Sequence, residues 1–475
     1  MPLVGGRLAA LLLCLLVWAS PAAAQDDCLT ADPPPVTKPA QPLRFGITPG
    51  AAGSAGAAQG QIAPEDEGAA AAALQDLRPP GKTLVMRMNR LFWKDGDEGI
   101  ARFAGLIDKY EAQGFPTESQ VRYHPPEGSE GDIAAWEQYV RDVVRELGKR
   151  RSLVALSITN EANLPISPNT SDGAYEGVED ALVRGVIVAD DELRKMGRGD
   201  VEVGFTLMWR WTPENDRKFW EDIGARATPE FHAALDYVGL QIYPGLVWPP
   251  APRAGVSAGE EVIEALTLLR RCYMPKAALG DEVDVWVSEN GYATNLGRTE
   301  PDQATALDST VRALHTYSGE LGITDYRWFN LRDNNSDGTD LFAAVGLLRD
   351  DYSRKPAFGV FRGLTAELGA AEGRSRGRTK PLVTFRGRRA SRRRVVVTGR
   401  LAGIPNVDCR GTATVRLVRR GRTLAARRSR VGRTCRFAVR TTLRRSVPSV
   451  RVRVRFNGNR ALRPAWSREQ IVRLR

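Results

Sequence analysis

The chain of 475 residues has only three histidines, His124, His232 and His315, spread far apart. It has no CxxC and no HExxH motif, so no ligand cluster for a metal is expected. A glycine-rich GxGxxG loop is missing as well. Gly46, Gly50, Gly53 and Gly56 are scattered through an Ala/Gly-rich stretch without that spacing. This argues against a doubly wound nucleotide-binding sheet, and no cofactor is expected. Past the N-terminal segment there is no run of about eighteen consecutive apolar residues, so no membrane-spanning helix is expected there. Cysteine is scarce, with five in all: Cys14, Cys28, Cys272, Cys409 and Cys435.

The N-terminus has the pattern of a secretory signal over residues 1–24. Arg7 supplies a positive start, Leu11 to Trp18 an apolar core, and Ala22-Ala23-Ala24 a small-residue cleavage site. Cleavage would remove Cys14 and leave an even number of cysteines. Outside the cell that permits disulfides. Cys409 and Cys435 share one small segment and are expected to pair; Cys28 with Cys272 is the remaining combination. Secretion, with cell-surface association as an option, is the expected location.

Acidic residues are nearly missing from the C-terminal part. From Ala371 to Arg475 there are 32 Lys and Arg against Glu372, Asp408 and Glu469, a balance of +29. The whole chain carries +12, so the remainder carries −17. Such a split implies two domains with different surfaces. A Pro-rich linker at 25–42 precedes the first, over 43–368; a second linker at 369–382 leads to the other, at 383–475.

The first domain alternates strand and helix patterns. Strands are expected at Leu43–Thr48, Thr83–Met88, Ser119–His124, Leu153–Glu161, Val201–Trp209, Tyr237–Tyr243, Val283–Glu289 and Asp325–Asn330. Between them lie helical stripes, the clearest being Ile133, Trp136, Val140, Val143, Val144 and Leu147. Eight such units predict an α/β fold, a (β/α)8 TIM barrel. The second domain has period two, as in RVRVRF, with runs at Arg393–Gly399, Thr412–Arg419, Arg436–Thr442 and Val450–Phe456. It is expected to be a small all-β, immunoglobulin-like sandwich.

Two glutamates stand where apolar runs give way to polar loops: Glu161 after SLVALSITN and Glu289 after VDVWVS. Barrel active sites form at the C-terminal ends of the strands. Alternation places Glu161 with Thr159, Ser157 and Ala155, and Glu289 with Val287, Val285 and Val283. These small and β-branched residues suit a barrel interior, so both carboxylates are expected over its mouth. Paired carboxylates there are what glycosidic bond cleavage requires.

Asn160-Glu161 after strand four and Glu289 after strand seven resemble the retaining glycoside hydrolases of clan A, the 4/7 superfamily. The resemblance spans about 43–366; Ala162 replaces the proline that many members have after Asn-Glu. It implies Glu161 as acid/base and Glu289 as nucleophile. It further implies that Arg87 bonds the nucleophile, with Arg90 as the alternative if the register slips, and that Asn160 contacts the sugar 2-hydroxyl. His124 and Tyr243 correspond to a subsite residue and a donor to the nucleophile, and Trp328 to an aromatic platform. Trp209 and Trp211 are candidates for further subsites, as are Asn163, Tyr292, Asp333 and Asn334.

The expected partner is a poly- or oligosaccharide, met by a monomer. The basic domain suits an anionic cell-surface polymer or serves as a spacer; without stacking aromatics, nucleic acid is not expected. Two other readings are a barrel that binds carbohydrate without cleaving it and a surface adhesin acting through its basic domain.

Overall fold

The computed structural model describes residues 32–475 except 52–61, 167, 169, 210–212, 248–250, 373–380, 403–407, 420–421, 460–461, 463–464, 468 and 475. The expected signal segment, with Cys14 and Cys28, lies outside the described residues, as does Trp211. Eight parallel strands close into a barrel in chain order. They are β1 (Arg44–Ile47), β2 (Leu84–Phe92), β3 (Thr117–Arg122), β4 (Leu153–Ile158), β5 (Glu202–Met208), β6 (Tyr237–Gln241), β7 (Asp284–Asn290) and β8 (Ile323–Trp328). The ring closes where β8 pairs with β1, Arg44 opposite Asp325 and Ile47 opposite Trp328.

Helices fill the crossovers: α1 (Glu67–Leu77), α2 (Gly96–Ala112), α3 (Ile133–Leu147), α4 (Val178–Lys195), α5 (Pro213–Arg226), α6 (Pro229–Ala234), α7 (Ala258–Leu268), α8 (Glu300–Leu321) and α9 (Pro356–Leu368). The stripe expected on α3 is its buried face, and Asp132 caps its N-terminus by accepting from the Ala135 N–H. Reciprocal capping boxes start α7 (Ser257, Glu260) and α8 (Thr299, Asp302). Gly322, at φ +68°, ends α8 in the left-handed conformation that glycine adopts without strain. The Pro-rich stretch is pinned in part rather than loose. The Thr37 and Lys38 N–H groups donate to the Glu320 carboxylate, and that of Gln41 to the Ser318 hydroxyl.

The barrel interior departs from the expected small and β-branched filling. Trp286 of β7 stacks on Tyr237 at 3.5 Å, beside Ala155, with the Arg44 and Arg327 guanidinia 4.9 Å and 5.3 Å from its ring centre. A chain of buried ions runs past it. Arg44 contacts Glu202 and Asp325; Arg327 bridges Asp325 (2.7 Å) and Glu118 (2.9 Å); Glu118 lies 3.6 Å from Arg87. Alternation then turns Val285 and Val287 to the opposite face of β7, into the main apolar core.

The C-terminal domain is a sandwich. β9 (Leu382–Ser391), β10 (Arg394–Ala402) and β13 (Arg436–Thr442) form one antiparallel sheet, ordered β13-β10-β9. β11 (Gly411–Arg419), β12 (Arg422–Val431), β14 (Ser449–Phe456) and β15 (Ala465–Trp466) form the other, ordered β12-β11-β14-β15, with β16 (Gln470–Arg473) on β14. Val395, Val397, Ala413, Val415, Leu417, Val450, Val452, Val454 and Phe456 build a separate apolar core. Cys409 and Cys435 form a disulfide, as expected. Cys272 is also disulfide-bonded.

Candidate active site

Strand β4 ends at Ile158, three residues before Glu161. The chain then turns through two left-handed residues, Thr159 at φ +65° and Glu161 at φ +48°. A β-branched residue in that region is strained and has to be held there by its surroundings. The Thr159 N–H donates to the Val121 carbonyl, while Gln120 and the Thr206 hydroxyl donate to the Thr159 carbonyl. Asp172, fully buried, accepts the Asn160 N–H (2.8 Å), the Tyr123 N–H (2.8 Å) and Arg122 Nε (3.1 Å). The Asn160 side chain is oriented from both ends. Gln241 Nε2 donates to Oδ1 at 2.7 Å, and Nδ2 donates to the Thr170 carbonyl at 3.0 Å.

On β7 the alternation breaks. Leu240 pairs with Val287 but Gln241 with Glu289, so one residue is passed over; the β8 pairing shifts between Val287 and Asn290 as well. Such a bulge resets the phase of the strand. It is why Glu289 meets the interior Arg87 although Val285 and Val287 face the other way. Arg87 Nη1 lies 2.7 Å from Glu289 Oε1, and the Tyr243 hydroxyl donates to Oε2 at 2.7 Å. The Arg87 contact is an oblique ion pair; none of its nitrogens makes a well-aligned hydrogen bond.

The two carboxylates stand in unequal fields. Burial opposes the charge on Arg87, but Glu289 and Glu118 outweigh it and raise its pKa above the ordinary value. That fixed cation stands against Glu289 Oε1. Burial first, and then the Glu289 charge, push Glu161 up to about 8; Arg122 and Arg87 pull it the other way. The Glu161 side chain is deep in the mouth yet keeps part of its surface open to solvent. Burial, then Glu289, raise Tyr243 well above its usual value, so it remains a donor.

The structure thus gathers Asn160, Glu161, Arg87, Tyr243 and Glu289. Arg90 sits in the β2 bulge at φ +105°, while Arg87 makes the contact to Glu289. His124 lies two residues past β3, between Phe92 (5.0 Å) and Tyr175 (5.1 Å). Burial, then Lys94 and Arg122, lower its pKa to about 4, so it is neutral at ordinary pH.

Other expectations need correction. Trp328, 1 % exposed, is packed in the main core and offers no ring face to a sugar; Trp209 is in that core too. The rings bordering Tyr243 are instead Phe342 and Phe329, both edge-on, at 5.4 Å and 6.2 Å. Asn163 is a staple between the β4 loop and β5. Its Nδ2 donates to the Met208 carbonyl and Asp216, and its Oδ1 accepts the Met208 N–H. Asp333 is buried in an ion pair with Lys355 at 2.8 Å. Asn334 is buried beside it, and Tyr292 is buried too, its carbonyl accepting from Gln303 Nε2 at 2.7 Å.

Sequence reasoning passed over Gln241, Asp172, Glu118 and Arg327, which orient the site. For Gln241 the signal was available: it ends β6, two residues before Tyr243. For the others only the fold supplies the partners.

No family model matches the chain, and no curated protein does. Solved structures similar to it include a GH5_18 protein from Bifidobacterium longum subsp. infantis, at 14% identity and TM-score 0.49, over 70% of this chain and 81% of that one. A family 39 glycoside hydrolase from Bacteroides cellulosilyticus WH2 is similar at 12% identity and TM-score 0.48, over 85% and 81%. GH5_18 from Streptomyces cattleya, in complex with GlcNAc, is similar at 14% identity and TM-score 0.48, over 69% and 81%. The barrel itself stands on its strand order and closure rather than on these likenesses.

Proposed function

We propose that this protein is a glycoside hydrolase that cleaves β-glycosidic bonds by double displacement. The observation that carries the reading is the split between two carboxylates in one barrel mouth. Glu289 is held by a buried arginine and a tyrosine hydroxyl, and Glu161 is pushed up to about 8 by burial and by Glu289 itself. A carboxyl group raised in this way is suited to donate a proton, and one held by a buried guanidinium and a phenol hydroxyl is suited to attack. In this reading Glu289 attacks the anomeric carbon while the glycosidic C–O bond breaks and the leaving oxygen takes the Glu161 proton. Water then attacks the glycosyl ester, returns a proton to Glu161 and frees Glu289. Asn160, with one amide N–H committed to Thr170, is positioned to contact the 2-hydroxyl. The N-terminal pattern supports secretion.

A panel of aryl β-glycosides tests the reaction, and proton NMR of the first-formed sugar tests its course. The expected first product keeps the β configuration. An initial α product would overturn the double displacement, and no hydrolysis of any member would favour a barrel that only binds carbohydrate.

A further inference from the structure

From residue 383 to 475 there are 28 arginines, no lysine and two acids, Asp408 and Glu469. Both acids are engaged. Asp408 pairs with Arg410 at 2.6 Å, and Glu469 with Arg453 at 2.7 Å and Arg451 at 3.2 Å. The net charge of the domain is therefore strongly positive, and strand register shows one place where arginines gather. On β11, Thr412, Thr414 and Arg416 share the face opposite the buried Ala413, Val415 and Leu417. Thr414 is paired with Arg428 on β12 and with Arg455 on β14. Two guanidinium-bearing strands thus flank a threonine row, about 10 Å apart, with Arg416 about 7 Å further along. A recess of about 550 Å³ opens there, lined by Thr412, Thr414, Arg416, Arg428, Arg455 and Asn457 besides two glycines.

We propose that this recess is a second carbohydrate site, one that binds an acidic polysaccharide bearing carboxylates, such as a polyuronate. Arginine forks match carboxylates in pairs of hydrogen bonds. The threonine hydroxyls and the Asn457 amide between them suit sugar hydroxyls; Asn457 and Thr414 are already linked at 3.1 Å, which fixes their orientation. The lining separates this ligand from other polyanions. A nucleic acid would need aromatic platforms for its bases, and a lipid surface would need an apolar side chain to enter it; the described lining residues include neither. Glu282 of the barrel domain lies 3.7 Å from Arg455, a loose contact with which an incoming carboxylate would compete. The site is independent of catalysis in the barrel.

The test uses the full chain and measures binding to sodium polygalacturonate, phosphatidylglycerol vesicles and a single-stranded oligonucleotide at equal anion concentration, with neutral dextran at the same sugar concentration as the polygalacturonate. Polygalacturonate is expected to bind, and to bind more tightly than the vesicles or the oligonucleotide; dextran is expected not to bind. The triple variant R416Q/R428Q/R455Q is expected to weaken polygalacturonate binding on the order of tenfold or more. The variant R388Q/R394Q/R440Q, which removes the same charge from the other sheet, is expected to stay within about twofold. Should the first triple variant fail to fold, the exposed R428Q alone is expected to show most of a tenfold loss. Equal losses from both triple variants would reduce the effect to net charge and overturn the site. Tighter binding of vesicles or oligonucleotide, or no binding of polygalacturonate, would overturn the ligand class.

Discussion

The barrel and the sandwich carry charge in opposite ways. The barrel buries it: Arg44, Glu202, Asp325, Arg327, Glu118, Arg87 and Glu289 run through its interior, each beside an opposite charge. The sandwich keeps its interior apolar and sets its arginines on the alternate, outward positions of its strands. Burying an ion is costly unless it is paired, and removing one partner leaves the other stranded. An exposed ion is screened by water and contributes little to folding. The same residue type, arginine, is therefore structural in one domain and available for contact in the other.

The largest expected effect lies at the end of the buried chain. E289Q is expected to lower kcat on an aryl β-glycoside on the order of 10⁴-fold or more while leaving the melting transition in place. Turnover surviving that change would remove Glu289 as the nucleophile. E161A comes next, with about 10²–10⁴-fold lost on substrates with poor leaving groups and much less on a dinitrophenyl glycoside. Equal losses on both would rule out proton donation by Glu161.

Wild-type kcat/KM is expected to fall as pH rises through about 8. There Glu161, whose folded pKa is raised by burial and by Glu289, gives up the proton it must donate. E161A should lack this limb, and a limb unchanged in that variant would assign it to another group.

Stability measurements address the contrast itself. R327M takes one of two arginine partners from each of Glu118 and Asp325, leaving Arg87 and Arg44, and is expected to cost about 3–5 kcal/mol in urea unfolding of the barrel transition. Removing the Cys409–Cys435 link, which spans 26 residues, with C409S/C435S is expected to cost the sandwich about 3 kcal/mol and leave turnover intact. R428Q, at an exposed position of β12, should change stability by less than about 0.5 kcal/mol. If R428Q proved as damaging as R327M, the distinction between buried and displayed arginine would collapse.

Much of the architecture was legible before any coordinates. Eight apolar runs alternating with helical stripes implied the barrel, and counting them put Glu161 and Glu289 at the ends of β4 and β7. Helix α1 escaped notice because its buried Ala70, Leu74 and Leu77 are embedded in an alanine-rich run that blurs the stripe. Strands β9 and β12 were missed because consecutive arginines and polar residues break their alternation on exposed sheet positions. Inside the barrel the error was one of phase. VDVWV reads as valines facing inward, whereas Trp286 does, and a residue passed over in pairing returns Glu289 to the interior. Exposure was the other blind spot: an aromatic at a strand end reads alike whether it lines a cleft or fills a core, and Trp328 fills a core.

The passed-over residue in β7 has a consequence for how the domain tolerates change. Between Val287 and Asn290 the strand holds one residue more than its partners need. Deleting Ser288 would let the ladder run in regular register and leave the carboxylate directly after Val287, still opposite Gln241 and in phase with the interior Trp286. The strand can thus lose that one residue without turning its carboxylate away from the mouth, so its chemistry does not hang on the local length of β7.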